Sequence, residues 1–273
     1  MKKAKVKTGA VHLLGNLHDK DLFSEISTGL EKTASNANQI HKGSLLLKEQ
    51  GHISGQNIFF LLAEEEAGKF LLLLDAVRCP KGEALARHLK RFNSHIAKGI
   101  YAISSYWNVD GFAEVKHAVI DYYAKQNIEM EEDGMTWVAQ NPITTSREFA
   151  YYVDYVVTYA EEKVWTNPSE ELSLSAGLDL ELPEALKLAN SLIKLGFTNP
   201  DSLEVIANVW RPLVMNGETR YTPDLKAWLN QTFSELDKKG LLQNVDTKGL
   251  VRNVVSGWSF PMHSGVFDYE RTR

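Results

Sequence analysis

The stretch SGQNIFFLLAEEEAGKFLLLLDAV, residues 54–77, decides the fold of this chain. Its second half, from Phe70 to Leu74, is apolar on every side of a helix, and Pro80 follows shortly after its end. A helix that is apolar all round belongs inside a protein, and proline ends helices. The sequence therefore predicts a central, buried helix that carries three consecutive acids, residues 64–66, in its middle.

These three acids cannot all face water. Successive helical residues point about 100° apart, so at least one of Glu64, Glu65 and Glu66 has to face the core or a partner helix. A buried carboxylate needs a cation or hydrogen-bond donors. Lys69 lies four residues after Glu65 and three after Glu66, so either acid can pair with it. Gly68 costs about 1 kcal/mol of helix propensity and indicates a close helix–helix approach.

The second feature is the basic segment RHLKRFNSHIAK, residues 87–98. It belongs to a predicted helix over residues 83–107, which a short turn at residues 80–82 places antiparallel to the first. Arg91 and His95 are four residues apart, so the pattern predicts both on one helical face, about 6 Å apart along the axis. Lys98 continues that face.

The Arg91–His95 pair suits metal-independent cleavage of RNA. A histidine can take the proton from a ribose 2′-hydroxyl or protonate the leaving oxygen. An arginine can hold the phosphate and stabilise its developing charge. The alternative is that the pair is solvated or bonded to nearby acids. Around these candidate catalytic residues, the side chains that would bind RNA or support the site are Lys98, Arg87, Lys90 and Asn93. The predicted carboxylate–lysine group is Glu65, Glu66 and Lys69.

The remaining patterns are mainly helical, so the predicted fold class is all-α: a helical bundle with additional C-terminal helices. Helices are predicted over residues 22–30, 34–50, 112–124, 145–165, 183–195, 201–215, 222–239 and 247–257, and a surface loop or short hairpin over 127–142. The acidic, loop-like stretch between Thr166 and Pro183 is the best candidate boundary. The predicted organisation is an N-terminal extension (1–32), a helical bundle (33–165) and a C-terminal helical region (166–273), packed on the same core or separate from it.

Composition excludes several classes of protein. A net charge of −5 argues against wrapping of nucleic acid by the whole surface. The single cysteine, Cys79, rules out an internal disulfide, suits the cytoplasm and is expected to be a packed helix-end thiol. There is no signal-peptide pattern, and the apolar runs fall short of the roughly 20 residues that a membrane span needs. Without a glycine-rich phosphate loop, a His-Glu-x-x-His motif or a Cys/His cluster, no metal and no cofactor are expected.

Two aromatic-rich segments are expected to be structural. Tyr151, Tyr152, Tyr155 and Tyr159 recur at helical spacing and are interpreted as an interface or core face rather than a base-stacking platform. His263 is expected to be a loop or tail residue, because no single helix can align it with Arg252. Trp258 and Phe260 are expected to tuck back into a groove or onto a second subunit.

The order of these motifs resembles the AbiV abortive-infection family within the HEPN superfamily, from about Thr33 to Trp165. The residues that carry the resemblance are Asn36-Ala37, Leu45-Leu46-Leu47 and Gly51; Glu65-Glu66-Ala67-Gly68-Lys69; Arg91-Phe92-Asn93-Ser94-His95-Ile96-Ala97-Lys98; and Tyr122-Tyr123, Gly134, Trp137, Pro142 and Ile143. The resemblance implies a HEPN helical bundle that forms a homodimer and acts in the cytoplasm in phage defence.

Two activities are compatible with this resemblance. HEPN ribonucleases carry an arginine, four to six residues and then a histidine, whereas three residues separate Arg91 from His95 here. One interpretation is a metal-independent HEPN endoribonuclease, in which two copies of the site meet across a two-fold axis. The other is a non-catalytic HEPN module that binds a phage protein or RNA.

Overall fold

The computed structural model of the chain describes residues 10–107, 109–124, 127–132, 135–141, 143, 150–157, 163–166, 182–215, 218–244 and 248–263. The protein is mostly helical, which confirms the predicted fold class. Two short antiparallel hairpins accompany the helices in this part of the chain. Among the described residues, no helix is long and apolar enough to cross a membrane.

Two long helices form the centre of the protein. A 3₁₀ helix (Ala10–Asn16) leads into α1 (Asp19–Glu49), and a tight turn leads into α2 (Ile53–Arg78). Gly51 in this turn has φ = +73°, a left-handed conformation that suits glycine at a helix C-terminus. The helices pack along much of their length, and every residue from Phe70 to Leu74 is buried. The predicted central, buried helix is confirmed, and it extends one residue beyond each end of the stretch 54–77.

The next segment is broken where one continuous helix is predicted. The elements are α3 (Glu83–Lys90), a 3₁₀ turn (Arg91–Asn93), α4 (His95–Ile103), a 3₁₀ turn (Ser104–Tyr106) and α5 (Phe112–Ala124). The break comes at Ser94, whose Oγ accepts a hydrogen bond from Ala97 N (3.3 Å) and caps α4. A capping serine competes with the helical backbone conformation, so the prediction of a single helix over residues 83–107 is wrong.

Two hairpins follow α5. Strands β1 (Asn127–Glu132) and β2 (Met135–Gln140) pair antiparallel, which is the hairpin alternative that the sequence left open for residues 127–142. Strands β3 (Asp154–Val157) and β4 (Lys163–Thr166) pair with Tyr155 opposite Trp165. The predicted helix over residues 145–165 is therefore wrong in these strands. Valines and aromatics favour strands, and this preference prevails over the helical spacing of the tyrosines.

The C-terminal helices share the core of α1 and α2. They are α6 (Glu184–Lys194), α7 (Pro200–Trp210), a π-helical turn (Tyr221–Leu225) continuing into α8 (Lys226–Lys238), and α9 (Lys248–Gly257). Arg211, just after α7, donates to Asp19 Oδ1 and to Val77 O, both at 3.0 Å. The buried apolar residues of both halves form one cluster. The predicted end of the N-terminal extension, at residue 32, falls inside α1. Most of the candidate boundary between Thr166 and Pro183, residues 167–181, lies outside the described residues.

Candidate acid–base site between helices α2 and α4

The site begins with a close crossing of α2 and α4. Gly68 is buried, and a Cβ atom there would overlap Lys98 O and lie 3.0 Å from Ala102 N. Only glycine allows the two backbones to approach this closely. The crossing brings the first turn of α4 beside Glu65, three residues before Gly68 on α2.

Glu65 joins two residues of α4. Its Oε1 atom lies 2.7 Å from His95 Nδ1 and 2.5 Å from Lys98 Nζ. The Glu65 and Lys98 side chains are mostly covered (16% and 10% exposed), whereas His95 is 60% exposed. Burial raises the pKa of Glu65, but the hydrogen bonds and charges of Lys98 and His95 outweigh it, so the pKa lies below its ordinary value. Glu65 is therefore ionised at neutral pH.

The ionised Glu65 determines which nitrogen of the His95 ring faces it with a hydrogen. A carboxylate only accepts hydrogen bonds, so His95 Nδ1 must carry the hydrogen between the two groups. In a neutral imidazole this leaves Nε2 as the proton acceptor. Carboxylates orient histidines in this way in many acid–base sites. The arrangement can therefore present an oriented, solvent-accessible base, with Lys98 offsetting the charge of Glu65.

Arg91 does not share a helical face with His95, contrary to the prediction. Arg91 lies on the 3₁₀ turn that follows α3, and His95 is the first residue of α4. The Ser94 cap reorients the chain between them, so the i,i+4 relationship that the spacing predicts is absent. Lys98, the expected continuation of this face, instead reaches Glu65.

The other predicted site residues form separate local interactions. Lys69 pairs with Glu66 (3.2 Å), one of the two alternatives, and lies 4.8 Å from the centre of the Phe92 ring. Arg87 pairs with Glu83 on the surface of α3 (2.6 Å). Two further residues near this turn, Lys90 and Asn93, are exposed. The structure thus brings together Glu65, His95 and Lys98 and separates Arg87 from them.

The first acid of the run, Glu64, contacts a different element. Its Oε1 accepts a hydrogen bond from Tyr106 Oη (2.8 Å) in the 3₁₀ turn after α4. Burial raises the pKa of Glu64, and burial together with the Glu64 charge raises the pKa of Tyr106. The three acids therefore face three sets of partners, as the 100° spacing of helical residues requires.

A second polar cluster, which sequence reasoning missed, lies entirely in the core. Asp75 of α2 is fully buried and accepts hydrogen bonds from Arg78 Nε (2.9 Å), Met262 N (2.8 Å) and Tyr101 Oη. Burial raises the pKa of Asp75, but the Arg78 charge and His263 outweigh it and hold this pKa far below its usual range. The cluster attaches the segment after α9 to α2.

Arg78 completes this attachment. Its guanidinium lies 4.8 Å from the Trp210 ring and 4.6 Å from the Trp258 ring, and it donates to Ser259 O (2.9 Å). Stacked arginines gain cation–π attraction and keep their fork of donors for hydrogen bonds. The expectation that Trp258 and Phe260 tuck back into a groove is confirmed, because both are buried against this chain.

Two histidines border the cluster. His88 is fully buried with Nε2 2.8 Å from Leu72 O, and burial lowers its pKa to about 4. His263 lies in a turn, as expected, but its side chain is only 5% exposed, with Nδ1 3.5 Å from Asp75 Oδ1. The adjoining cavity, beside Arg78, holds about 10 Å³, too little for a substrate. The spacing of Asp75 and Arg78 permits a local ion pair, but no local pattern reveals the rest of the cluster, because the segment from Ser259 to His263 lies far along the chain.

Of the two polar clusters described above, the group formed by Glu65, His95 and Lys98 has the geometry that suits chemistry on an external substrate, because His95 is exposed. Among the described residues, no group of three or more His, Cys, Asp or Glu side chains is placed to hold a metal ion. Comparisons with protein-family models, with curated proteins and with solved structures find no match to this chain.

Proposed function

We propose that this chain is a phage-defence protein of the HEPN type, resembling the AbiV family, that cleaves RNA in the cytoplasm without a metal ion. The observation that carries the proposal is the 2.7 Å contact between Glu65 and the exposed His95 ring. It supplies an oriented base beside a basic segment, and the motif order of residues 33–165 supports the family. His95 is the proposed catalytic residue, and Glu65 positions it.

The proposed reaction is a transesterification within the RNA. His95 Nε2 takes the proton from a ribose 2′-hydroxyl, and the 2′-oxygen forms a bond to phosphorus. The bond from phosphorus to the 5′-oxygen then breaks, giving a 2′,3′-cyclic phosphate and a 5′-hydroxyl. The leaving oxygen needs a proton, which the protonated His95 of a second copy supplies in a homodimer whose two sites meet. Arg91 and Lys90 are the cations proposed to hold the phosphate.

An exposed aromatic pair supports RNA as the substrate, and it gives Tyr155 the base-stacking role that its spacing in the sequence did not favour. Tyr155 and Trp165 face each other across β3 and β4 with ring centres 5.1 Å apart, and they are 53% and 70% exposed. Lys163, also exposed, lies two residues from Trp165 on the same strand and therefore on the same face. Bases of single-stranded RNA stack on exposed aromatics beside cations, each stack worth about 1–3 kcal/mol.

Cleavage of single-stranded RNA by the purified protein in the presence of a chelator tests this function. We expect His95→Ala to lower the cleavage rate by about 10²–10⁴-fold. Glu65→Gln should lower it by about 10–100-fold, since a charge-assisted hydrogen bond is lost. His117→Ala and Glu204→Gln, which change exposed residues on α5 and α7, are matched controls and keep the parent rate. A parent that does not cut RNA, or a His95→Ala variant that cuts equally well, contradicts the proposal.

The second candidate function is a non-catalytic HEPN module that binds a phage protein or RNA. The separation of Arg91 and His95 onto two elements favours it, because a shared helical face for the pair is lost. Capture of partners from phage-infected cells distinguishes the two functions. A stoichiometric partner that His95→Ala still binds, together with no RNA cleavage, supports the binding module; loss of binding in that variant opposes it.

A further inference from the structure

A second cavity lies outside the acid–base site. It is a cleft of about 770 Å³ where the end of the turn after α4, the start of α5, the π-helical turn and the end of α9 meet. Ligand pockets for small molecules commonly enclose about 300–1,000 Å³. Its walls include Trp107, Asp110, Arg220, Tyr221 and Lys226.

Two distant parts of the chain are held together to form this cleft. Phe112 N donates to Thr219 O (2.9 Å), and Tyr221 N donates to Asp110 O (2.8 Å), across an isolated bridge between Gly111 and Arg220. A Cβ atom at Gly111 would lie 3.0 Å from Thr219 O, so glycine permits this approach. These backbone bonds hold the two sides of the cleft together.

A π-helical turn borders the cleft through Tyr221. Residues 221–225 adopt this conformation, and Asp224 Oδ2 accepts a hydrogen bond from Arg220 N (2.8 Å) at its start. Tyr221 Oη donates to Val255 O (2.7 Å) and ties the turn to α9. Turns of π-helix are rare and occur frequently at functional sites. The turn projects Arg220 and Lys226 from its two ends.

The charged groups of the cleft are available to a ligand. Arg220, Lys226 and Asp110 are all exposed, and their side chains form no ion pair within the described part of the chain. Asp224 and Glu114 lie close by, but each accepts a hydrogen bond from a backbone N–H, of Arg220 and Asp110 respectively. The cleft therefore offers an anionic ligand two exposed cations, Arg220 and Lys226, that its phosphate can contact directly.

The cleft also offers a planar surface. The Trp107 ring is half-buried and stacks on Tyr122, with ring centres 6.2 Å apart and planes inclined by only 8°. The stacking holds the indole in one orientation, so little conformational entropy is lost when a flat ligand packs beside it.

We propose that this cleft binds a nucleoside monophosphate group, either as a free nucleotide or at the 5′ end of an RNA. Arg220 and Lys226 bind the phosphate, Trp107 packs against the base, and the Asp110 carboxylate accepts hydrogen bonds from the ribose hydroxyls. The inference does not depend on RNA cleavage, since it concerns different side chains.

Calorimetric titration of the full chain tests the site with five probes: AMP, adenosine, inorganic phosphate, and a short RNA with and without a 5′-phosphate. We expect AMP to bind more tightly than either adenosine or phosphate, because only AMP engages the cations and the indole together. Arg220→Ala and Lys226→Ala should each weaken AMP binding by about tenfold, the loss of one exposed charge-assisted contact. Lys239→Ala, at an exposed position just beyond α8, is the matched control and binds as the parent does.

The RNA probes distinguish the two sources of the ligand. If the 5′-phosphorylated RNA binds more tightly than AMP, and Arg220→Ala weakens its binding, the cleft is assigned to RNA ends. If AMP binds more tightly than the phosphorylated RNA, the cleft is assigned to free nucleotides. Absence of binding by both AMP and the phosphorylated RNA overturns the proposal. Binding that neither Arg220→Ala nor the charge reversal Lys226→Glu weakens overturns it equally, because the ligand then lies elsewhere.

Discussion

The carbonyl oxygen of Lys98 occupies the space where a side chain at Gly68 would begin. This contact sets the distance between α2 and α4, and therefore the position of His95 relative to Glu65, three residues before Gly68. Interiors are close-packed and transmit small displacements, so the acid–base site depends on this backbone approach.

Gly68→Ala is expected to destabilise the protein. The new methyl group overlaps backbone atoms, which cannot rotate away. The overlap more than cancels the helix-propensity gain of about 1 kcal/mol, and we expect a net loss of about 1–3 kcal/mol in the free energy of unfolding. Urea denaturation measures the change. Gly249→Ala on α9 is the control, since a Cβ atom there meets nothing within 4 Å, and it should be neutral or stabilising. Equal effects of the two substitutions would contradict the close approach at Gly68.

Asp75→Asn should be among the most destabilising single substitutions in this chain. It leaves the buried Arg78 guanidinium without a compensating charge, and breaking one partner of a buried ion pair costs about 3–5 kcal/mol. The midpoint of urea denaturation reports the loss. Asp237→Asn, at an exposed position near the end of α8, is the control and should stay within about 0.5 kcal/mol of the parent. An Asp75→Asn protein as stable as this control would show that the pair contributes nothing.

His88 should make the protein less stable in weak acid. Burial lowers its pKa from 6.5 to about 4, so below pH 6.5 the unfolded chain takes up a proton that the folded chain does not. The free energy of unfolding therefore falls as the pH drops from about 6.5 to 4, by about 3 kcal/mol in total. His88→Gln removes this titration, and its stability should change less between pH 7 and about pH 4.5.

Denaturation of the parent and variants at both pH values measures the difference between the profiles. The carboxylates titrate in all proteins compared, so only the difference reports on residue 88. His117→Gln, at an exposed histidine of α5, is expected to keep the parent's profile. A His88→Gln profile parallel to that of the parent would rule out a proton-linked contribution from His88.

Cys79 should be unreactive until the protein unfolds. The thiol is fully buried at the end of α2, and burial, followed by the nearby Asp75 charge, raises its pKa to about 12. Thiolates are the reactive form, so labelling by a thiol reagent should be at least about a hundredfold slower in the native protein than in denaturant. Because the chain has a single cysteine, no other thiol contributes. Equal labelling rates under both conditions would contradict this burial.

Local patterns predict the helices α2 and α5 well because the local signals there agree. The helix α5 has the predicted bounds, Phe112–Ala124, and α2 differs from its prediction by one residue at each end. In both, apolar spacing and the flanking breakers agree. Where two local signals compete, the prediction is wrong: apolar spacing continues through residues 89–96, yet the Ser94 cap ends one helix and starts another.

The candidate site was only partly predictable for a different reason. The sequence requires that one acid of residues 64–66 face a partner, and it identifies His95 and Lys98 as candidates. It does not reveal that Glu65 contacts both, because that pairing depends on how α4 crosses α2 at Gly68. Contacts between distant residues are set by tertiary packing, which periodicity along one helix does not encode.

The hydrogen bond from Met262 to Asp75 joins residues 187 positions apart, so it can form only late in the synthesis of the chain. At about 5–20 residues per second, a ribosome needs roughly 10–40 s to extend the chain from the first of these residues to the second. Throughout that interval Asp75 and Arg78 lack their hydrogen bonds to the segment from Ser259 to Met262, which has not yet been synthesised. The nascent chain therefore cannot reach its native stability until translation has passed residue 262, and it is most exposed to proteases and chaperones before then.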